Sequence, residues 1–124
     1  MTLAQLAENL IGVSLNDILR VGERVNAMGN CTGNKTVDLS IGNVVTATLT
    51  GPGIWTITNP VPSGKTSTVV FILTNPGVNI TWASIPKWAG GIAPTLTTTG
   101  IDIIVMSTVD GGTTWYARLA PNFA

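Results

Sequence analysis

Few side chains in this sequence could do acid–base, nucleophilic or metal chemistry. The carboxylates are Glu8, Asp17, Glu23, Asp38, Asp102 and Asp110; there is no histidine and one cysteine, Cys31. Without histidine, Ser–His and Cys–His nucleophilic pairs are excluded, and with them most zinc sites. A glycosidase needs two carboxyl groups facing each other across a sugar. Asp38 and Asp102 are the pair a fold could bring together, but Asp102 opens a strand and Asp110 sits in a turn, and those ordinary roles account for them. The glycine-rich runs at 90–94 and 110–114 lack the Gly-Lys-Ser/Thr that opens the helix of a phosphate loop. Asp110 also lacks the alternating acidic ligands of a calcium loop. The residues thus point to no catalytic site, metal or cofactor. Cys31 has no partner for an internal disulfide and reads as a small residue in a linker.

Aromatic residues are the other candidates, through stacking. Trp55, Trp82 and Trp115 fall in apolar phase or at the ends of strands and are expected in the core. Trp88 lies in a loop beside Pro86 and Lys87, where it would pin that loop over the end of the β domain. Together with Tyr116 it forms the candidate recognition surface if the protein binds a ligand.

Composition narrows the function classes. The chain has 124 residues, of which 44% are hydrophobic and only 10% charged. Soluble domains average near a quarter charged, so the surface is rich in threonine and asparagine, or is partly covered by other subunits. Arg20, Arg24, Lys35, Lys65, Lys87 and Arg118 are scattered and balanced by as many acids. That distribution argues against nucleic acid binding, which needs clustered Lys and Arg. It also leaves little repulsion between copies of the chain. The opening MTLAQLAENL has neither the basic region nor the apolar run of a signal peptide. No stretch is long enough to cross a bilayer, so no membrane partner is expected.

Three regions follow from the patterning. Residues 1–25 read as a helical docking or oligomerisation segment. Leu3, Leu6, Leu10 and Ile11 recur at helical spacing after Thr2, and Leu15, Ile18 and Leu19 form a second stripe after Ser14. Helices this short need something to lie on, whether the β domain, another copy or a different protein. Residues 26–35, with two glycines and three asparagines, read as a linker. Residues 36–124 read as a β-sandwich domain.

In that domain Val37, Leu39 and Ile41 alternate with polar residues, as do Val45, Ala47 and Leu49, and Trp55 and Ile57. Val69–Leu73 is apolar without a break, and Ile103–Met106 repeats this, which signals strands buried on both faces. Gly42-Asn43 and Asn75-Pro76-Gly77-Val78 read as turns, the second joining a hairpin between the run 66–75 and 78–82. Asp110-Gly111-Gly112 reads as a hairpin loop. Seven or eight short strands at this spacing predict an all-β chain, a sandwich with jelly-roll-like or Greek-key connections, preceded by the short helical segment.

Residues 81–116 carry a likeness. Thr81-Trp82, Lys87-Trp88, Gly90-Gly91, Ala93-Pro94-Thr95-Leu96, Asp102, Asp110-Gly111-Gly112 and Thr114-Trp115-Tyr116 resemble a module found at the C-termini of fibre, spike and head-surface proteins of tailed-phage virions. The likeness extends over about residues 36–120. It implies a non-enzymatic β-sandwich with no catalytic residues to carry over. On this resemblance the chain is expected to be a virion structural protein, a stand-alone capsid decoration or cement protein. Its expected partners are itself, as a homotrimer, and the major capsid protein or another virion protein. A receptor-binding fibre tip recognising a cell-surface glycan is the alternative.

Overall fold

A computed structural model describes residues 2–3, 22–74, 77–78 and 80–124. Nine strands and one short 3-10 turn make up the described chain. The strands are β1 (Val25–Cys31), β2 (Lys35–Asp38), β3 (Val44–Leu49), β4 (Gly53–Thr58), β5 (Ser67–Thr74), β6 (Ile80–Trp82), β7 (Lys87–Trp88), β8 (Ile101–Thr108) and β9 (Tyr116–Phe123). They form a six-stranded sheet, ordered β1-β3-β5-β8-β9-β7, and a three-stranded sheet, ordered β2-β4-β6. The described residues are mostly β-strand, as expected for the body of the chain; the helical segment expected over residues 1–25 lies almost wholly outside them.

The connections differ from the expectation. Odd-numbered strands β1, β3 and β5 pair in parallel within the large sheet, and β2, β4 and β6 pair in parallel within the small one. The first six strands therefore wind back and forth between two sheets for three turns, the path of a parallel β-coil. Jelly-roll and Greek-key connections are antiparallel and do not describe this path. The turn at Gly42-Asn43 sends the chain to the other sheet. Likewise β6 does not return beside β5 but stacks on β4, with Gly53 opposite Ile80 and Trp55 opposite Trp82. Only the last part is antiparallel: β5 with β8, and β8 with β9 through the Asp110-Gly111-Gly112 loop.

The segment read as a linker also differs. Residues 25–31 are strand β1, in parallel register with β3 from Val25 opposite Val44 to Cys31 opposite Leu49. A bulge at Met28, with Gly29 at φ 68°, hid the strand pattern by breaking its alternation. Cys31 closes that strand in the core, 1% exposed, and burial pushes its thiol pKa up against the smaller pull of Lys35. Of the N-terminal stripe, Leu3 is described and is exposed. Leu6, Leu10, Ile11, Leu15, Ile18 and Leu19 lie outside the described residues.

One core serves both sheets. Val45, Ala47 and Leu49 of β3, Val69, Phe71 and Leu73 of β5, and Ile104 and Met106 of β8 point inward from the large sheet. Val37 and Trp55 meet them from the small one. The ring of Phe71 lies edge-on to Trp55, centroids 6.1 Å apart, and to Trp82 at 5.2 Å. The alternate residues of β3, β5 and β8 point the other way. Their registers line up three outward rows: Val44–Val70–Val105, Thr46–Ile72–Ile103 and Thr48–Thr74–Ile101.

Stacking of the turns requires a close approach at Gly53. A Cβ there would run into the Gly33 carbonyl, which belongs to the preceding turn. Gly22, by contrast, has open space around it. Replacing Gly53 with alanine should cost about 1–3 kcal/mol, the range for overpacking, and lower the melting temperature by several degrees. Gly22→Ala should leave melting unchanged. Thermal unfolding followed by circular dichroism checks both.

Candidate binding surface

The residues of the 81–116 motif fall into two groups. Most hold the fold. Asp102, expected only to open a strand, is fully buried. Its Oδ2 accepts the Thr97 N–H at 2.8 Å, and its Oδ1 accepts the Thr97 hydroxyl at 2.6 Å and the Asn122 N–H at 2.9 Å. These bonds tie the loop before β8 to a bulge in β9, where Pro121 and Asn122 together oppose Asp102 and Asn122 adopts φ 61°. Burial alone would push the Asp102 carboxyl up. The hydrogen bonds from the Thr97 side chain and from the Asn122 and Thr97 backbones favour the ionised form, and the balance is a lowered pKa.

Asp110 performs the same kind of work in its hairpin loop. Its Oδ1 accepts the Thr114 N–H at 2.8 Å and the Thr108 hydroxyl at 2.8 Å, while the Thr108 oxygen accepts the Gly112 N–H at 3.0 Å. The Thr114 amide is the main cause of its lowered pKa, followed by Thr108. Gly111 and Gly112 supply the positive φ values, 69° and 88°, that the loop demands. Trp115 is then carried into the core, 2% exposed. Asp38, the other carboxylate considered for an acid pair, accepts from the Asn59 side chain at 2.8 Å and from Ser40, and these bonds lower its pKa in that order. Asp38 and Asp102 stand on strands of different sheets, each with its own hydrogen-bond partners. Among the described residues no three His, Cys, Asp or Glu side chains cluster to hold a metal ion, and no helix is long and apolar enough to cross a membrane.

The second group forms a surface. The long loop expected to carry Trp88 contains strand β7, which pairs in parallel with β9 and sets Lys87 opposite Tyr116 and Trp88 opposite Ala117. Trp88 packs partly on the core and Tyr116 is more than half exposed. Both line one hollow of about 340 Å³, together with Lys87 and Arg118. A neighbouring hollow of about 500 Å³ shares Trp88 and Arg118 and runs toward Pro94 and Pro121. Two aromatic faces and two cations converge here, and no carboxylate lines either hollow. The structure brings Trp88 and Tyr116, the two residues singled out in the sequence, to one hollow; the convergence of Lys87 and Arg118 with them depends on the β7–β9 pairing and was not legible there.

No family model, no curated protein and no solved structure matches this chain.

The three lowered carboxyl pKa values make an acid-stability prediction. A carboxyl with a folded-state pKa below its unfolded value of about 4 contributes stability above that value and loses it as pH falls through the folded pKa. The melting temperature should therefore be level near neutrality and fall below about pH 4. Asp102→Asn should cost about 1–3 kcal/mol at pH 7, because an amide leaves one of the buried donors unmet. It should also shallow the acid decline, as read from melting curves between pH 7 and pH 2.

Proposed function

We propose that this chain is a structural protein of a tailed-bacteriophage virion, a capsid decoration or cement protein, whose two sheets are the layers of a flattened β-sandwich at the shell surface. The observation that carries this reading is the work done by the motif residues. Asp102, Asp110, Trp115 and Trp82, the residues of the phage-module likeness, clamp a loop, staple a hairpin and fill the core. A low charge density and zero net charge support close assembly. The partners are other copies, arranged around a threefold axis, and the major capsid protein or another virion protein. Leu3, Leu6, Leu10, Ile11, Leu15, Ile18 and Leu19 bury against the shell or against neighbouring copies. Apolar area removed from water there contributes about 25 cal/mol per Å² gross, less the cost of association. No substrate is turned over.

Purified protein added to capsids that lack it should bind at a fixed copy number and raise their melting temperature. Combined Leu6→Ser, Leu10→Ser and Leu15→Ser substitutions should abolish binding while the β-sheet circular dichroism signal persists. Capsids that ignore the wild-type protein, or accept this variant equally, would refute the reading.

The hollow beside β7 favours one alternative, recognition of a cell-surface glycan. Aromatic faces stack on sugar rings, and Lys87 with Arg118 suits an acidic saccharide. On this alternative, polyuronate but not neutral dextran should quench tryptophan fluorescence, and Trp88→Phe with Arg118→Ala should remove the quench. A response to neither polymer leaves the cement reading in place.

A further inference from the structure

We infer that the two neighbouring hollows beside β7 are successive subsites for one acidic saccharide: the hollow at Lys87 holds a uronate unit, and the hollow at Ile92 holds the adjoining unit, uncharged and N-acetylated. The inference rests on the glycan reading of this surface and names the repeat of the ligand; it holds whether or not the chain decorates a capsid.

Strand register sets the first subsite. Ser107 of β8 stands opposite Tyr116 of β9, and Tyr116 opposite Lys87 of β7, so a hydroxyl, a phenol and an ammonium form one row across three strands. Arg118, two residues beyond Tyr116, is on the same face and opposite Val105. Neighbouring strands are about 4.8 Å apart, and alternate residues about 7 Å apart along a strand. Both cations are therefore neighbours of Tyr116, which is 55% exposed. A sugar ring stacked on Tyr116 has its carboxylate within reach of Lys87 and Arg118 together. Ser107 flanks the ring on the other side, its hydroxyl held 3.1 Å from that of Thr68.

The second subsite has a different chemistry. It shares Trp88 and Arg118 with the first, so the two hollows are continuous and the guanidinium marks their junction. Lys87 does not line it; Ile92, Pro94 and Pro121 do, with Thr95. A second carboxylate there would sit against apolar groups with Arg118 already engaged, and a charge removed from water without a partner is costly. An acetamido group fits instead, its methyl against Ile92 and Pro94 and its amide beside Thr95. Volumes of about 340 and 500 Å³ fall within the roughly 300–1,000 Å³ of small-molecule sites. An acidic peptide would meet the same cations. Its alternate side chains, however, point to opposite sides of an extended chain, whereas a saccharide offers a ring face at every unit. Tyr116 in one hollow and Trp88 in both favour the saccharide.

Isothermal titration of the full-length protein tests this with probes of matched length: a tetrasaccharide alternating glucuronate with N-acetylglucosamine, tetragalacturonate, chitotetraose and tetraglutamate. The alternating saccharide should bind tightest, about tenfold above tetragalacturonate, the scale on which an apolar pocket discriminates. Uncharged chitotetraose and the peptide should bind more weakly than either. Arg118→Ala should weaken both acidic saccharides. Ile92→Asn, at a residue 79% exposed and so harmless to the fold, should weaken only the alternating one and remove its advantage. Tetragalacturonate bound as tightly as the alternating saccharide overturns the inference while leaving an acidic-saccharide site in place. So does an alternating saccharide indifferent to Ile92→Asn. Chitotetraose bound equally well removes the charged subsite, and with it the inference. Tetraglutamate bound equally well makes this a peptide site, and silence toward every saccharide leaves no glycan site; either result overturns the glycan reading and the inference together.

Discussion

Phe71 sits fully buried between two tryptophans from the opposite sheet, and much of the architecture depends on that contact. Trp55 and Trp82 occupy equivalent places on successive turns, in register across β4 and β6, with their rings 6.1 Å apart and edge-on. Phe71 reaches them from β5, so a single aromatic cluster ties two turns of the small sheet to the centre of the large one. Aromatic pairs at these distances and angles add to what burial alone supplies. The arrangement also sets the phase of the inward rows: with Phe71 inward, Val69 and Leu73 must be inward and Val70 and Ile72 outward, because side chains alternate along a strand.

The polar residues do a complementary job. A parallel coil has no tight hairpins to define its register, so its ends and loops must be secured separately. Asp102 does this where β9 bulges, Asp110 in the β8–β9 loop, and Asp38 where β2 turns away toward β3. At Asp102 and Asp110 a short carboxylate accepts bonds from partly buried groups, which is cheaper than leaving a buried amide unsatisfied; the bonds to Asp38 are exposed and hold the turn's shape. Among the described residues, no buried side-chain polar atom is left without a partner. The acids that could have suggested catalysis are therefore engaged as structural clasps. The aromatic and basic residues along β7 and β9, by contrast, line an open hollow.

Much of this was legible in the sequence. The alternation of Val45, Ala47 and Leu49, and of Val69, Phe71 and Leu73, placed those residues in the core. The Asp110-Gly111-Gly112 loop and the inward phase of Trp115 and Ala117 were readable from local chemistry alone. Trp88 and Tyr116 were recognisable as surface candidates. Strand β1 was not legible, because its bulge breaks the period-two pattern and its glycine and asparagines resemble a loop. The coil itself left no visible repeat. Val25 is opposite Val44 and Val44 opposite Val70, so the first turn advances 19 residues and the second 26.

By itself, the sequence determined which residues face inward, where the chain bends and that little charge would reach the surface, since these depend on local periodicity, turn chemistry and composition. Only the tertiary structure decided which strands are neighbours. Alternation assigns a residue to a face but says nothing about the strand beside it, and a parallel partner one turn away satisfies the same apolar pattern as an antiparallel partner across a hairpin. The meeting of Lys87 and Trp88 with Tyr116 and Arg118, and the joining of Val44, Val70 and Val105 into one row, follow from that choice of neighbours.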